Sequence, residues 1–275
     1  MARTAQLSVA GMLSRIAENK RAEVVALREA LRLSSSDFSA SAAGRVSLRA
    51  ALSEERFSLI AEAKRISPSL GEIRADFDAV ELVRRYQRAG ASASTVLADA
   101  DFFGGSPEVV ASVARCTDIA IPIIYKDFFV DVVQVEAARR SGASAILAIV
   151  RVLDQETLLA ISKAAKAANL DMIYECFNES DVALAMDCGA QIVGINNRDL
   201  ESFTVDLERS LRVRRELPDS VLTVTESGLR TSDDLKRMRD GGFDAALIGE
   251  TILAQPDVEA AIRQLLVGVR APAGR

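Results

Sequence analysis

The sequence predicts an α/β protein, a (β/α)8 TIM barrel with an additional N-terminal helical segment, on three observations. Short apolar runs alternate with helix-period stretches eight times along the chain. A glycine recurs where helices end and strands begin. Charged and amide side chains stand directly after most of the apolar runs. Alternation of this kind means parallel strands joined by helical crossovers.

The apolar runs are 58–63, 93–98, 121–126, 144–150, 171–176, 191–195, 221–226 and 244–248. The helix-period stretches that follow are about 78–89, 106–116, 131–141, 154–168, 178–187, 206–216, 231–240 and 256–267. Eight such units suit a closed barrel, with an open doubly wound sheet as the alternative. Gly90, Gly142, Gly189 and Gly242 are spaced 52, 47 and 53 apart, each where a helix C-terminus favours the left-handed conformation. Either a recurrence of two βα units or a general preference of such loops produces this spacing. No G-x-G-x-x-G follows a strand, and there is no Walker sequence.

Ahead of the barrel, Val9, Met12, Leu13, Ile16, Val24, Leu27 and Leu31 repeat at helical spacing over 8–32, with Ser8 as N-cap. Residues 33–44 are rich in Ser and Ala and read as a linker. The expected division is a helical extension over 1–46 and the barrel over 47–275, within a single structural domain.

Of the 275 residues, 49% are apolar and 27% charged, the balance of an ordinary globular chain. A net charge of −5 argues against nucleic acid or acidic membranes as partners, so an anionic substrate needs a local site. Cys116, Cys176 and Cys188 form neither a metal spacing nor a disulfide framework, which fits a reducing cytoplasm. No apolar run reaches membrane-spanning length, and no secretory signal is evident. The chain has no histidine. Acid–base chemistry therefore rests on lysine, carboxylates, tyrosine or cysteine.

In residues 60–73, Glu62 and Lys64 interrupt an apolar run two positions apart, hence on one face of a strand. They are either an ion pair capping the strand or a working pair. The same kind of ending recurs with Lys126 and Asp127, Glu175, Asn196 to Asp199, Glu226, and Glu250. One polar strand end is commonly solubilising; their concentration on six of eight strands favours one shared site at the C-terminal mouth. Ser227-Gly228 and Gly249 follow the seventh and eighth strands, where barrels often hold phosphate, and Ser67 can reach the same anion. Tight turns are the alternative for these glycines. Phe103, within Phe102-Phe103-Gly104-Gly105-Ser106, and Phe128 either sandwich a planar ring or anchor their loops.

Taken together these segments resemble indole-3-glycerol-phosphate synthase. The matching pieces are 60–69 (IAEAKRISPS), 102–106 (FFGGS), 126–128 (KDF), Glu175, 195–200 (INNRDL), 225–228 (TESG) and 247–250 (LIGE), in the family's order. The resemblance implies a lyase of tryptophan biosynthesis that converts 1-(2-carboxyphenylamino)-1-deoxyribulose 5-phosphate to indole-3-glycerol phosphate, without cofactor or metal. Its partner would be that small phosphorylated aromatic amine, and the chain a monomer or weak homo-oligomer. By the same resemblance, Lys126 is the general acid, Glu175 the base of the later dehydration, Lys64 the steering cation, and Glu62 its holder. Asn196, Arg198, Glu226 and Ser227 would position substrate, with Phe103 and Phe128 at its ring. Ser67, Gly228 and Gly249 would grip the phosphate.

Departures from the family pattern fall at Leu70, Tyr125 and Ala98, and around Glu175 in Tyr174-Glu175-Cys176. Several of these are expected to line the mouth. They leave two further readings open, a paralogue taking a modified anthranilate and a non-catalytic sugar-phosphate-binding barrel.

Overall fold

The computed structural model describes residues 9–33, 46–54, 56–67, 71–74, 77–199 and 204–269. The expectations placed on Ser8, on most of the 33–44 linker and on Leu70 fall outside these residues. Eight strands close into a parallel barrel: β1 (Ser58–Ala63), β4 (Ala93–Leu97), β5 (Ile123–Lys126), β6 (Ala145–Ile149), β7 (Asp171–Cys176), β8 (Ile192–Asn196), β9 (Leu222–Glu226) and β10 (Ala245–Ile248). Each pairs with its sequence neighbour in the barrel, and β1 closes the ring against β10. The third run begins at Ile123 rather than Ile121, because Pro122 has no N–H to give the ladder.

Eight outer helices return the chain: α3 (Ala79–Ala89), α4 (Pro107–Ala114), α5 (Val133–Arg140), α6 (Gln155–Ala167), α7 (Glu179–Asp187), α8 (Leu207–Arg214), α9 (Ser232–Asp240) and α11 (Val258–Leu265). Seven of them start at a side chain that accepts from the first-turn N–H groups: Asp78, Ser106, Asp154, Asn178, Asp206, Thr231 and Asp257. Thr231 and Asp234 form a reciprocal capping box. The four recurring glycines have φ of 102°, 83°, 80° and 88°, and Asn169, with φ 54°, takes that place between α6 and β7.

Strand alternation divides the apolar residues between two layers. Ile60, Ile124, Leu147, Ile173, Val224 and Leu247 fill the barrel's interior. Their neighbours, among them Leu59, Tyr125, Ile146, Tyr174 and Val193, pack outward against the helices. The floor is closed by α2 (Leu48–Leu52), whose Leu48 and Leu52 join the interior cluster. Ser47 Oγ and the Arg49 N–H both donate to Asp171 Oδ2, at 2.9 and 3.0 Å. Above the mouth lie α1 (Val9–Leu33) and a hairpin of β2 (Ile66–Ser67) with β3 (Gly71–Glu72). The hairpin, α2 and the one-turn α10 (Glu250–Leu253) are too short for hydrophobic periodicity to predict. No helix among the described residues is long and apolar enough to cross a membrane.

Candidate active site

Period-two alternation sets the chemistry. The interior apolar residues Ile60, Ile124, Ile173 and Val224 are followed two positions on by Glu62, Lys126, Glu175 and Glu226, so these four face the barrel axis at its C-terminal mouth. Glu62 Oε1 lies 2.6 Å from Lys64 Nζ, and Glu62 Oε2 lies 3.5 Å from Lys126 Nζ. Lys64 Nζ is also 4.0 Å from Glu250 Oε1, while Arg198 Nη2 donates to Glu250 Oε2 at 2.7 Å. Alternating charges thus run from β5 across β1 to the loop after β8. On the opposite wall Asn196 Nδ2 donates to Glu175 Oε1 at 2.8 Å, and Asn196 Oδ1 accepts from the Arg198 N–H at 2.9 Å. Glu226, in register with Asn196, has its buried Oε1 without a hydrogen-bond partner among the described residues.

Burial opposes charge on Glu62, but Lys64 and Lys126 overcome it and hold the carboxyl down at about 2. Burial likewise opposes the Lys126 ammonium, yet Glu62, Glu175 and Glu226 raise its pKa above the ordinary lysine range. Glu226 goes the other way: burial, with the Glu175 charge beside it, pushes it well above the carboxylate range. Burial and its neighbours thus favour the charged form of Lys126 and disfavour the charged form of Glu226.

Two glycines make room for these groups. A Cβ on Gly194 would overlap Glu226 Oε1, and one on Gly249 would stand 2.6 Å from Glu62 Oε1. Asn197 fastens the turn after β9, its Nδ2 donating to the carbonyls of Glu226 and Ser227 at 3.0 and 3.1 Å. That turn holds Ser227 at φ 67° and Gly228 at φ 80°, the first an unusual conformation for a residue with a side chain. Ser67 is buried in the β2–β3 hairpin, where Ile66 rests against Gly104 of the loop after β4. The rings of Phe103 and Phe128 face one another at 6.0 Å and 34°.

The family model for indole-3-glycerol phosphate synthase matches residues 13–265. The chain belongs to this family. It is 42% identical to the indole-3-glycerol phosphate synthase of Leptospira interrogans over 216 residues, 78% of this chain and 84% of that protein. Against the synthase of Roseiflexus sp. the identity is 38% over 264 residues, 92% and 97% of the two chains. In fold alone it is similar to a crystal structure of 3-hexulose-6-phosphate synthase, with a TM-score of 0.59 at 15% identity over 78% of this chain and all (100%) of that one.

Within this member of the synthase family, the residues expected at the site fall into four sets. Glu62, Lys64, Lys126 and Arg198 form one connected charge network with Glu250. Glu175, Asn196 and Glu226 form the facing wall, and Phe103 with Phe128 the aromatic pair. Ser67, Ser227, Gly228 and Gly249 lie in three separate segments after β1, β9 and β10.

Two expectations about the departures are corrected. Tyr125 and Ala98 do not line the mouth. Both pack in the layer between barrel and helices, Tyr125 edge-on to Phe129 at 6.0 Å, because strand parity turns Tyr125 outward when Lys126 turns in. Asp127 also leaves the shared site and ion-pairs with Lys20 of α1 at 2.7 Å. Three features went unpredicted: Gly194, whose role depends on a carboxylate from the adjacent strand; Lys20; and Phe177. Phe177 is a buried interior ring under the Arg151 guanidinium, which lies 4.0 Å from the ring centroid. Phe177 directly follows the β7 end, and strand-end inspection for polar residues passes over an aromatic one.

Proposed function

We propose that this mouth closes the indole ring of 1-(2-carboxyphenylamino)-1-deoxyribulose 5-phosphate, with the following division of labour. The observation that carries it is the ammonium of Lys126, held charged among Glu62, Glu175 and Glu226 with its side chain 22% exposed to the mouth. Family membership makes the chain a carboxy-lyase of tryptophan biosynthesis.

The aryl carbon that bears the carboxylate attacks the ketone carbon of the ribulose chain, and a carbon–carbon bond forms. Lys126 protonates the ketone oxygen as negative charge develops there, so a hydroxyl results. The carboxylate leaves as carbon dioxide, and its bonding electrons restore the aromatic ring. Lys64 protonates the departing hydroxyl, which leaves as water, while Glu175 takes the proton whose loss completes the indole. Glu62 keeps Lys64 and Lys126 within reach of the same oxygen. Glu226, whose buried Oε1 has no partner among the described residues, hydrogen-bonds a sugar hydroxyl. Phe103 and Phe128 flank the aryl ring. Ser67 and the backbone about Gly228 and Gly249 receive the phosphate.

The reading that a modified anthranilate is the substrate loses support with Tyr125 and Ala98 turned away from the mouth. The test is direct, because the chain contains no tryptophan and indole product is seen against a dark background. Purified protein and the carboxyphenylamino-deoxyribulose phosphate, with no added metal, are expected to develop indole fluorescence. Folded protein that forms none refutes the proposal.

A further inference from the structure

One buried side chain ties α1 to the barrel mouth. Lys20 lies between Ile16 and Val24, one turn from each, on the buried face of the helix. Its Nζ stands 2.8 Å from Asp99 Oδ2, 2.7 Å from Asp127 Oδ1 and 2.7 Å from Glu23 Oε2. Asp99 is two residues past β4 and Asp127 is directly past β5.

Both aspartates also hold loop backbone. Asp99 Oδ1 accepts from the N–H groups of Phe102 and Phe103 at 2.7 and 3.1 Å. Asp127 Oδ1 accepts from the Phe128 N–H at 2.8 Å. A single ammonium thus joins the two loops that carry the facing rings of Phe103 and Phe128. Further along the same loops, Asn19 Nδ2 donates to Asp101 Oδ2 at 2.7 Å and Arg28 pairs with Asp131. With 2% of its side chain exposed, Lys20 meets no solvent and has no path to a reacting atom. A cation buried this deeply stabilises only through its partners, and these partners are loop anchors.

We propose that Lys20 is a positioning residue for the aryl end of the substrate, setting the gap between Phe103 and Phe128 by holding Asp99 and Asp127 together. The proposal rests on the reading that this ring pair receives the aryl group. Without the ammonium, two carboxylates face each other across the gap and repel, the loops part, and the slot widens. Ser227 follows β9, across the barrel from β5, whereas Ser67 neighbours the Phe103 loop through Ile66 and Gly104, so phosphate binding weakens less than aryl binding.

The test compares full-length wild type with Lys20→Met and Lys20→Arg. For Lys20→Met, KM is expected to rise about tenfold while kcat stays within about threefold, the pattern of lost substrate positioning. Inhibition by inorganic phosphate is expected to weaken less than analogue binding, and Lys20→Arg to recover most of the affinity. Binding is followed separately by the anthranilate fluorescence of a substrate analogue whose ketone is reduced to the alcohol. Asp99→Asn keeps an acceptor for the Phe102 and Phe103 N–H groups but drops the charge; it covers the case in which Lys20→Met does not fold, and weaker analogue binding is expected there too. A folded Lys20→Met with wild-type KM overturns the proposal, as does an equal loss of phosphate and analogue binding. Wild type that binds the analogue yet forms no indole refutes the proposed reaction instead, and analogue binding then decides the role of Lys20.

Discussion

Two lysines in this molecule sit among carboxylates near the same barrel mouth and do different work. Lys126 faces the axis with its side chain 22% exposed, and its nearest carboxylate oxygen is 3.5 Å away. Lys20 is sealed at 2% exposure, with three carboxylate oxygens between 2.7 and 2.8 Å. Three carboxylates crowd the Lys20 ammonium and leave no room for an incoming oxygen. Lys126 keeps donors free for an incoming oxygen. Composition does not separate a reactive cluster from a structural one; crowding by carboxylates and access to the mouth do.

Removing each ammonium should break the molecule in different ways. Lys126→Ala is expected to lower kcat by two to four decades, as for loss of a general acid, in a protein that remains folded. Turnover near wild type removes Lys126 from the acid role. Gly194→Ala tests the facing wall without touching a charge. Its Cβ takes the place of Glu226 Oε1, and kcat is expected to fall by about one to two decades through misplacement alone. An unchanged kcat in that variant means that Glu226 is not a positioning group.

The two clusters also differ in sign against pH. Glu62 faces two cations and falls from 4.5 to about 2 on folding, so its stabilisation is complete above pH 4.5 and lost as pH drops toward 2. For Asp127, burial outweighs Lys20, and Asp99 adds to it, so the carboxyl rises from 3.8 to about 6. The folded state then holds the proton more tightly than the unfolded chain, and stability falls as pH rises from about 4 to 6. Urea midpoints measured across pH 2–7 are expected to show Glu62→Gln flattening the acid limb. Asp127→Asn should flatten the limb of opposite slope. Identical profiles for the two variants contradict the distinction. The smallest effect is expected at Tyr125→Phe, which alters the outer layer only and leaves kcat/KM for the unsubstituted substrate unchanged in the indole assay.

The barrel was legible because each strand and helix repeats its own period, and because the four junction glycines mark the returns. The mouth was legible where one strand's own spacing decides the geometry, as for Glu62 with Lys64. Parity applied to Tyr125 would have turned it outward from the sequence alone. Lys20 carried a signal as well: it occupies the i+4 position between Ile16 and Val24, a lysine within an apolar stripe. What it pairs with depends on two loops about 80 and 107 residues away, which no local pattern encodes. Gly194 is opaque for the same reason, since only the neighbouring strand explains it.

The floor contact between Ser47 and Asp171 has a consequence for how the chain is made. The partners are 124 residues apart, and those of Asn19 and Asp101 are 82 apart. Helices α1 and α2 therefore leave the ribosome before β4, β5 and β7, at whose ends these bonds are made. Each helix is complete well before the barrel residues that fasten it exist.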